Sequence, residues 1–212
     1  MSYKNYSLEI EHRTHQLYRI KFNFPYSHEE VVSELKNEKW KKFSETNTTG
    51  YEIWPLRFKI ITPQSKLLRE MQNFFQLEKS KAEAIDYLFE TSPNIRGNYG
   101  MTKDAFIRNT SFHGEFTEDK PSFECGRHID FRLLAATGGI SLNAEDDPEL
   151  ATYFFRSYND EKEYARSTTN LGDGWMQVND NDVWHDGGNL SETKDRYSML
   201  IALTLQLRTP TY

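Results

Sequence analysis

The sequence predicts a mainly β protein with flanking helices, its core a barrel or jelly roll. Three observations carry this expectation. After Gly97, short apolar runs recur between turns rich in Gly, Asn and Asp, the rhythm of antiparallel all-β folds. Before residue 95, alternating segments mix with segments of helical period. Aromatic residues make up 14% of the chain, enough to build a substantial core although 27% of residues are charged. A chain of 212 residues suits one domain spanning 1–212. Residues 1–95 are expected to form a supporting layer of strands and helices, and residues 96–212 the β core.

In chain order, residues 5–24 alternate through Tyr18, Ile20, Phe22 and Phe24, which reads as one or two strands. A helix follows at "SHEEVVSEL", where Ser27 and Glu30 have capping-box spacing and Val31, Leu35 and Trp40 face inward. A second helix is expected from "TPQSKLLREMQNFF". Thr62 is its cap, Pro63 its first residue, and Leu67, Leu68, Met71, Phe74 and Phe75 its apolar stripe. "SKAEAIDYLFE" suggests a third, capped by Ser80 and Glu83, burying Ile85, Leu88 and Phe89 and ending before Pro93. The expected core strands then lie in "SFECGRHIDFRLLAA", "GGISLN", "ATYFFRSY", "EYARSTT", "GWMQV", "VWH" and "RYSMLIALTLQL".

Charge and composition exclude several functions. The net charge is −6, and the acids concentrate after residue 80, so a general duplex-binding surface is not expected. A single cysteine, Cys125, rules out an internal disulfide and a cysteine-rich zinc site. No apolar stretch is long enough to span a membrane and the first residues lack a signal-peptide core, which suggests a cytoplasmic protein.

Two short stretches carry chemistry. In "GRHIDFR", His128 and Asp130 stand two apart in a strand-like run, so both point to one face. In "NDNDVWHDGGN", the Asn/Asp run at 179–182 reads as a turn and "VWH" as a short strand delivering His185, with Trp184 turned the other way. Eleven residues on, Arg196 and Ser198 share a face of the last strand, a guanidinium beside a hydroxyl that suits a carboxylate.

The ordered set H-x-D, distal His and R-x-S in a β-rich half resembles the iron(II)- and 2-oxoglutarate-dependent oxygenases of prolyl-hydroxylase type. The resemblance covers roughly residues 100–208. It implies a double-stranded β-helix, the jelly-roll core shared with cupins. It implies that His128, Asp130 and His185 bind Fe(II) as an open facial triad. It further implies that Arg196 and Ser198 hold the distal carboxylate of 2-oxoglutarate, which is decarboxylated to succinate with O2 as a substrate is hydroxylated. Asn109, Tyr153 and Arg108 are candidates for its other end. The substrate is open: a peptidyl side chain, an amino acid or a nucleotide. Oligomeric state is not readable. Two other readings are a cupin-like metal-binding enzyme without 2-oxoglutarate and a non-catalytic β-sandwich recognition protein.

Plainer readings apply to the remaining polar residues. Cys125, at odd spacing from His128, is expected on the opposite strand face as a buried thiol. Arg127 is expected in a salt bridge. His12, His15 and His28 are expected as surface or packing residues, and His113 as a plain strand residue close enough in sequence to reach substrate. The acidic runs at 144–147 and 179–182 lack a calcium-loop pattern and read as solvated turns.

Overall fold

The computed structural model describes residues 3–14, 16–43, 54–92, 95, 100–130, 134–178 and 183–205. His15 and the 179–182 run lie outside the described residues. The described strands are β1 (Ser7–Thr14), β2 (Leu17–Asn23), β3 (Lys41–Lys42), β4 (Arg57–Ile60), β5 (Thr110–Asp119), β6 (Leu134–Ser141), β7 (Tyr153–Phe155), β8 (Ala165–Arg166), β9 (Asp173–Val178), β10 (Trp184–Asp186) and β11 (Arg196–Leu205). The helices are α1 (His28–Asn37), α2 (Lys66–Phe75), α3 (Glu78–Thr91) and α4 (Lys103–Arg108).

An eight-stranded antiparallel sheet runs β1-β2-β9-β6-β11-β5-β4-β3, and a three-stranded sheet runs β10-β7-β8. The large sheet takes strands from both sides of residue 95, so the first part of the chain extends the β core as well as covering it. One sheet face meets the helices. Met199, Ile201 and Leu203 of β11 are fully buried there with Leu68, Met71 and Phe75 of α2 and Ile85 and Leu88 of α3. The opposite parity of β11, including Arg196, Ser198, Leu200 and Ala202, faces a cavity. The small sheet closes onto that second face, with Phe154 of β7 edge-on to Trp175 of β9 at 5.2 Å.

Helix α1 starts as its sequence demands: Glu30 N–H donates to Ser27 Oγ, and Ser27 N–H donates to the Glu30 carboxylate. Trp40 Nε1 donates to the Leu35 carbonyl and seals its end. The other two starts differ from expectation. Helix α2 is capped by Ser65, not Thr62, because Glu38 accepts the backbone N–H groups of Gln64 and Ser65 and holds that stretch as a loop. Helix α3 starts at Glu78, so Ser80 is inside it and buried. The expectation of a strand at His113 holds, but the full length of β5 and helix α4 were not expected. In β5 the apolar positions Phe112, Gly114 and Phe116 alternate with His113, Glu115 and Thr117. Phe112 and Phe116 are buried in the helix-side core, the same alternation that marks β11. Residues 122–130, the first part of the strand expected in "SFECGRHIDFRLLAA", belong to no regular strand and make the isolated bridges Glu124↔Asn189 and His128↔His185.

Candidate metal centre

His128 and His185, distant in sequence, meet by backbone pairing. His128 N–H donates to the His185 carbonyl and His185 N–H to the His128 carbonyl, both at 2.9 Å. Residues paired in this way project side by side on one face, and the two rings lie 4.3 Å apart. Asp130, two residues on from His128, keeps the same side. Its Oδ1 lies 3.7 Å from Nε2 of His128 and 3.7 Å from Nε2 of His185. One ligand atom from each of the three residues falls within 4.8 Å of the others. Trp184 points away, edge-on to Tyr158.

The surroundings prepare these atoms. His128 Nδ1 sits 2.8 Å from the Gly126 carbonyl, a contact that requires a proton on Nδ1 and leaves Nε2 bare in the neutral ring. Asp130 Oδ2 accepts from the Thr137 hydroxyl and from Gln177 Nε2, the latter at 3.0 Å. Burial lowers His185 to about 4, against the pull of Asp130, and the charge of His128 adds to the lowering. Burial also disfavours charge on His128, but Cys125, the Gly126 backbone and Asp130 outweigh it and raise that ring to about 9. Two imidazole nitrogens and a carboxylate oxygen, converging on one side only, fit a divalent transition metal that keeps open positions.

The triad borders a cavity of about 900 Å³ walled by the large sheet. On the same cavity wall stands a cross-strand row in which Arg57 of β4, Asp119 of β5 and Arg196 of β11 are register partners. Asp119 Oδ1 and Oδ2 accept from Arg57 Nε and Nη2 at 2.6 and 3.1 Å. Oδ2 also accepts from Arg196 Nε at 2.9 Å. Arg196 Nη1 donates to the carbonyls of Leu150 and Gly187. Burial would raise the Asp119 carboxyl, but the two guanidiniums hold it below the usual range. Two cations on one anion leave a net positive charge beside Ser198, which also lines the cavity.

The structure thus brings His128, Asp130 and His185 together, and sets Arg196 and Ser198 on the wall of the same cavity. Asn109, Tyr153 and Arg108 are not among its lining residues. Asn109 Nδ2 bonds the Ala105 carbonyl at the end of α4, and the Tyr153 hydroxyl bonds the Pro148 carbonyl. Cys125 is buried as expected but not turned from His128: its Sγ is 3.8 Å from Nδ1, because residues 125–128 turn instead of running as a strand. Arg127 is tied to the carbonyls of Tyr158 and Asp160 and packs on Phe155. His113 lines the cavity as well. Asp146 and Asp147 are ion-paired to Arg166 and Lys194. Sequence reasoning missed Arg57, Asp119, Thr137 and Gln177. A readable signal existed only for the last two, as polar residues within largely apolar strands.

No known protein-family model matches the chain, and no curated protein sequence matches it. Solved structures do match. A prolyl-4-hydroxylase from Pseudomonas putida aligns with a TM-score of 0.52 and 16% identity, over 91% of this chain and 94% of its own. A prolyl hydroxylase from Trichoplax adhaerens, in complex with a hypoxia inducible factor oxygen degradation domain peptide fragment, aligns with a TM-score of 0.57 and 14% identity. That match covers 90% of this chain and 84% of the other. The chain therefore has the jelly-roll fold of these prolyl hydroxylases.

Proposed function

We propose that the protein is a non-haem iron(II)- and 2-oxoglutarate-dependent dioxygenase that hydroxylates its substrate. The observation that carries this reading is the convergence of His128 Nε2, His185 Nε2 and Asp130 Oδ1 on one point at a cavity wall. His128, Asp130 and His185 are the metal ligands, and Arg196 with Ser198 receives the distal carboxylate of the co-substrate. Iron(II) held there supplies the oxidising chemistry, coupling O2 and the oxidative decarboxylation of 2-oxoglutarate to succinate with oxidation of a substrate C–H bond. The chain binds, orients and excludes water. Phe154 and Trp175 pack against the His185 ring at 6.2 and 5.4 Å and keep its rear face dry. The excess positive charge of Arg57 and Arg196 over Asp119 attracts a dicarboxylate to that part of the cavity wall.

A second reading, a metal-dependent enzyme without 2-oxoglutarate, is favoured by one observation: Arg196 already donates to Asp119, Leu150 and Gly187. Anaerobic difference absorption separates the two. Fe(II) plus 2-oxoglutarate is expected to give a weak visible charge-transfer band that Arg196→Ala removes. No band in the unaltered protein refutes the dioxygenase. A succinate-release screen over peptides, amino acids and nucleotides then seeks the substrate. The Trichoplax neighbour was solved with a peptide fragment, which makes a peptidyl side chain the first to test.

A further inference from the structure

We infer that Thr137 and Gln177 are positioning residues that make Asp130 a one-oxygen metal ligand. The inference rests on the proposed metal centre and concerns what aims its carboxylate. Thr137 on β6 and Gln177 on β9 are direct cross-strand partners; Thr137 lines the cavity, and Gln177 reaches Asp130 from the same sheet face. The Thr137 hydroxyl and Gln177 Nε2 both donate to Asp130 Oδ2. The other oxygen, Oδ1, is the one 3.7 Å from both imidazole Nε2 atoms. A carboxylate oxygen that accepts two hydrogen bonds is a poor second ligand, so chelation through both oxygens is disfavoured.

The need for such a clamp follows from the local backbone. Asp130 lies outside every regular strand, two residues past the His128↔His185 bridge. No ladder sets its side-chain torsions. The sheet does so from outside, through two side chains on a rigid pair of central strands. The mode of binding that results, one oxygen from Asp130 and one nitrogen from each histidine, leaves the most positions for exogenous ligands.

The test is metal affinity of the 212-residue apoprotein, read by Co(II) visible absorption and by Ni(II) calorimetry, with no turnover required. Thr137→Val and Gln177→Leu are each expected to weaken Co(II) binding by roughly 10–100-fold and to alter its absorption bands. Thr137→Ser, which keeps the hydroxyl, is expected to bind close to wild type. Apoprotein melting temperature checks that each variant folds; Thr137→Ala and Gln177→Ala replace any that does not. Folded variants of both positions with wild-type Co(II) affinity and spectrum overturn the inference. Failure of the dioxygenase reading would register differently, as Co(II) binding with no 2-oxoglutarate band from the iron-loaded protein. A wild-type chain that binds neither Co(II) nor Ni(II) overturns both.

Discussion

Asp119 shows how much a single carboxylate can hold. It is 1% exposed and carries two guanidiniums from strands on either side of it. Removing one partner of such a cluster leaves uncompensated buried charge, which costs about 3–5 kcal/mol. Asp119→Ala is therefore expected to lose stability on that scale in urea unfolding, and a loss below about 1 kcal/mol would refute the role. The pH dependence has a definite sign. The folded-state carboxyl is held below its unfolded value, so its contribution is present above about pH 4 and is lost as pH falls through the depressed folded value. Asp119→Asn should accordingly be less stable at neutral pH and lose less on acidification than wild type. Of this row, only Arg196 was legible in the sequence. Alternation put it on the cavity face, but its partner depends on the register of β5 against β11, which no local pattern encodes.

The elements divide between those set by local chemistry and those set by neighbours. In α1, cap and box are both local, and Ser27→Ala is expected to cost about 1 kcal/mol of thermal stability. Thr62→Ala should change stability by under about 0.5 kcal/mol, since Thr62 caps nothing; equal losses at the two sites would contradict this assignment. The cap of α2 was misread because the carboxylate of Glu38, 26 residues away, takes the donors that a local reading gives to Thr62. Strand β6 makes the same point through size. A Cβ on Gly138 would sit 2.3 Å from the Trp175 carbonyl oxygen and 3.1 Å from the Ile201 side chain. The obstacle is partly backbone, so Gly138→Ala should part β6 from β9 and cost about 1–3 kcal/mol in chemical denaturation. A near-neutral result would show that the sheet yields there. The stretch 122–130, expected as a strand, has strand-like composition, but it bridges at the isolated points Glu124 and His128 and builds no ladder.

The whole molecule couples these parts to the proposed metal centre. The candidate ligands come from a looped segment and from a short strand of the small sheet, and the groups that hold Asp130 come from the large one. Metal binding should therefore stabilise the fold as a unit. Ni(II) at 100 times its dissociation constant adds about 2.7 kcal/mol, or roughly 5–10 °C in melting temperature for a chain of this size. His185→Ala should abolish that increment yet leave the apoprotein folded; an unchanged increment would remove His185 from the centre. Among the described residues no helix is long and apolar enough to cross a membrane.

The sequence by itself determined the β-rich class, the inward faces of α1, α2 and β11, and the identity of the three candidate ligands. These follow from period, caps and residue chemistry, which act over a few positions. Only the tertiary structure decided that the two histidines pair backbone to backbone, that Asp130 is clamped from the sheet, and that Arg196 shares its anion with Arg57. Those arrangements depend on strand register and sheet order, and both are set by long-range packing of side chains that lie far apart along the chain.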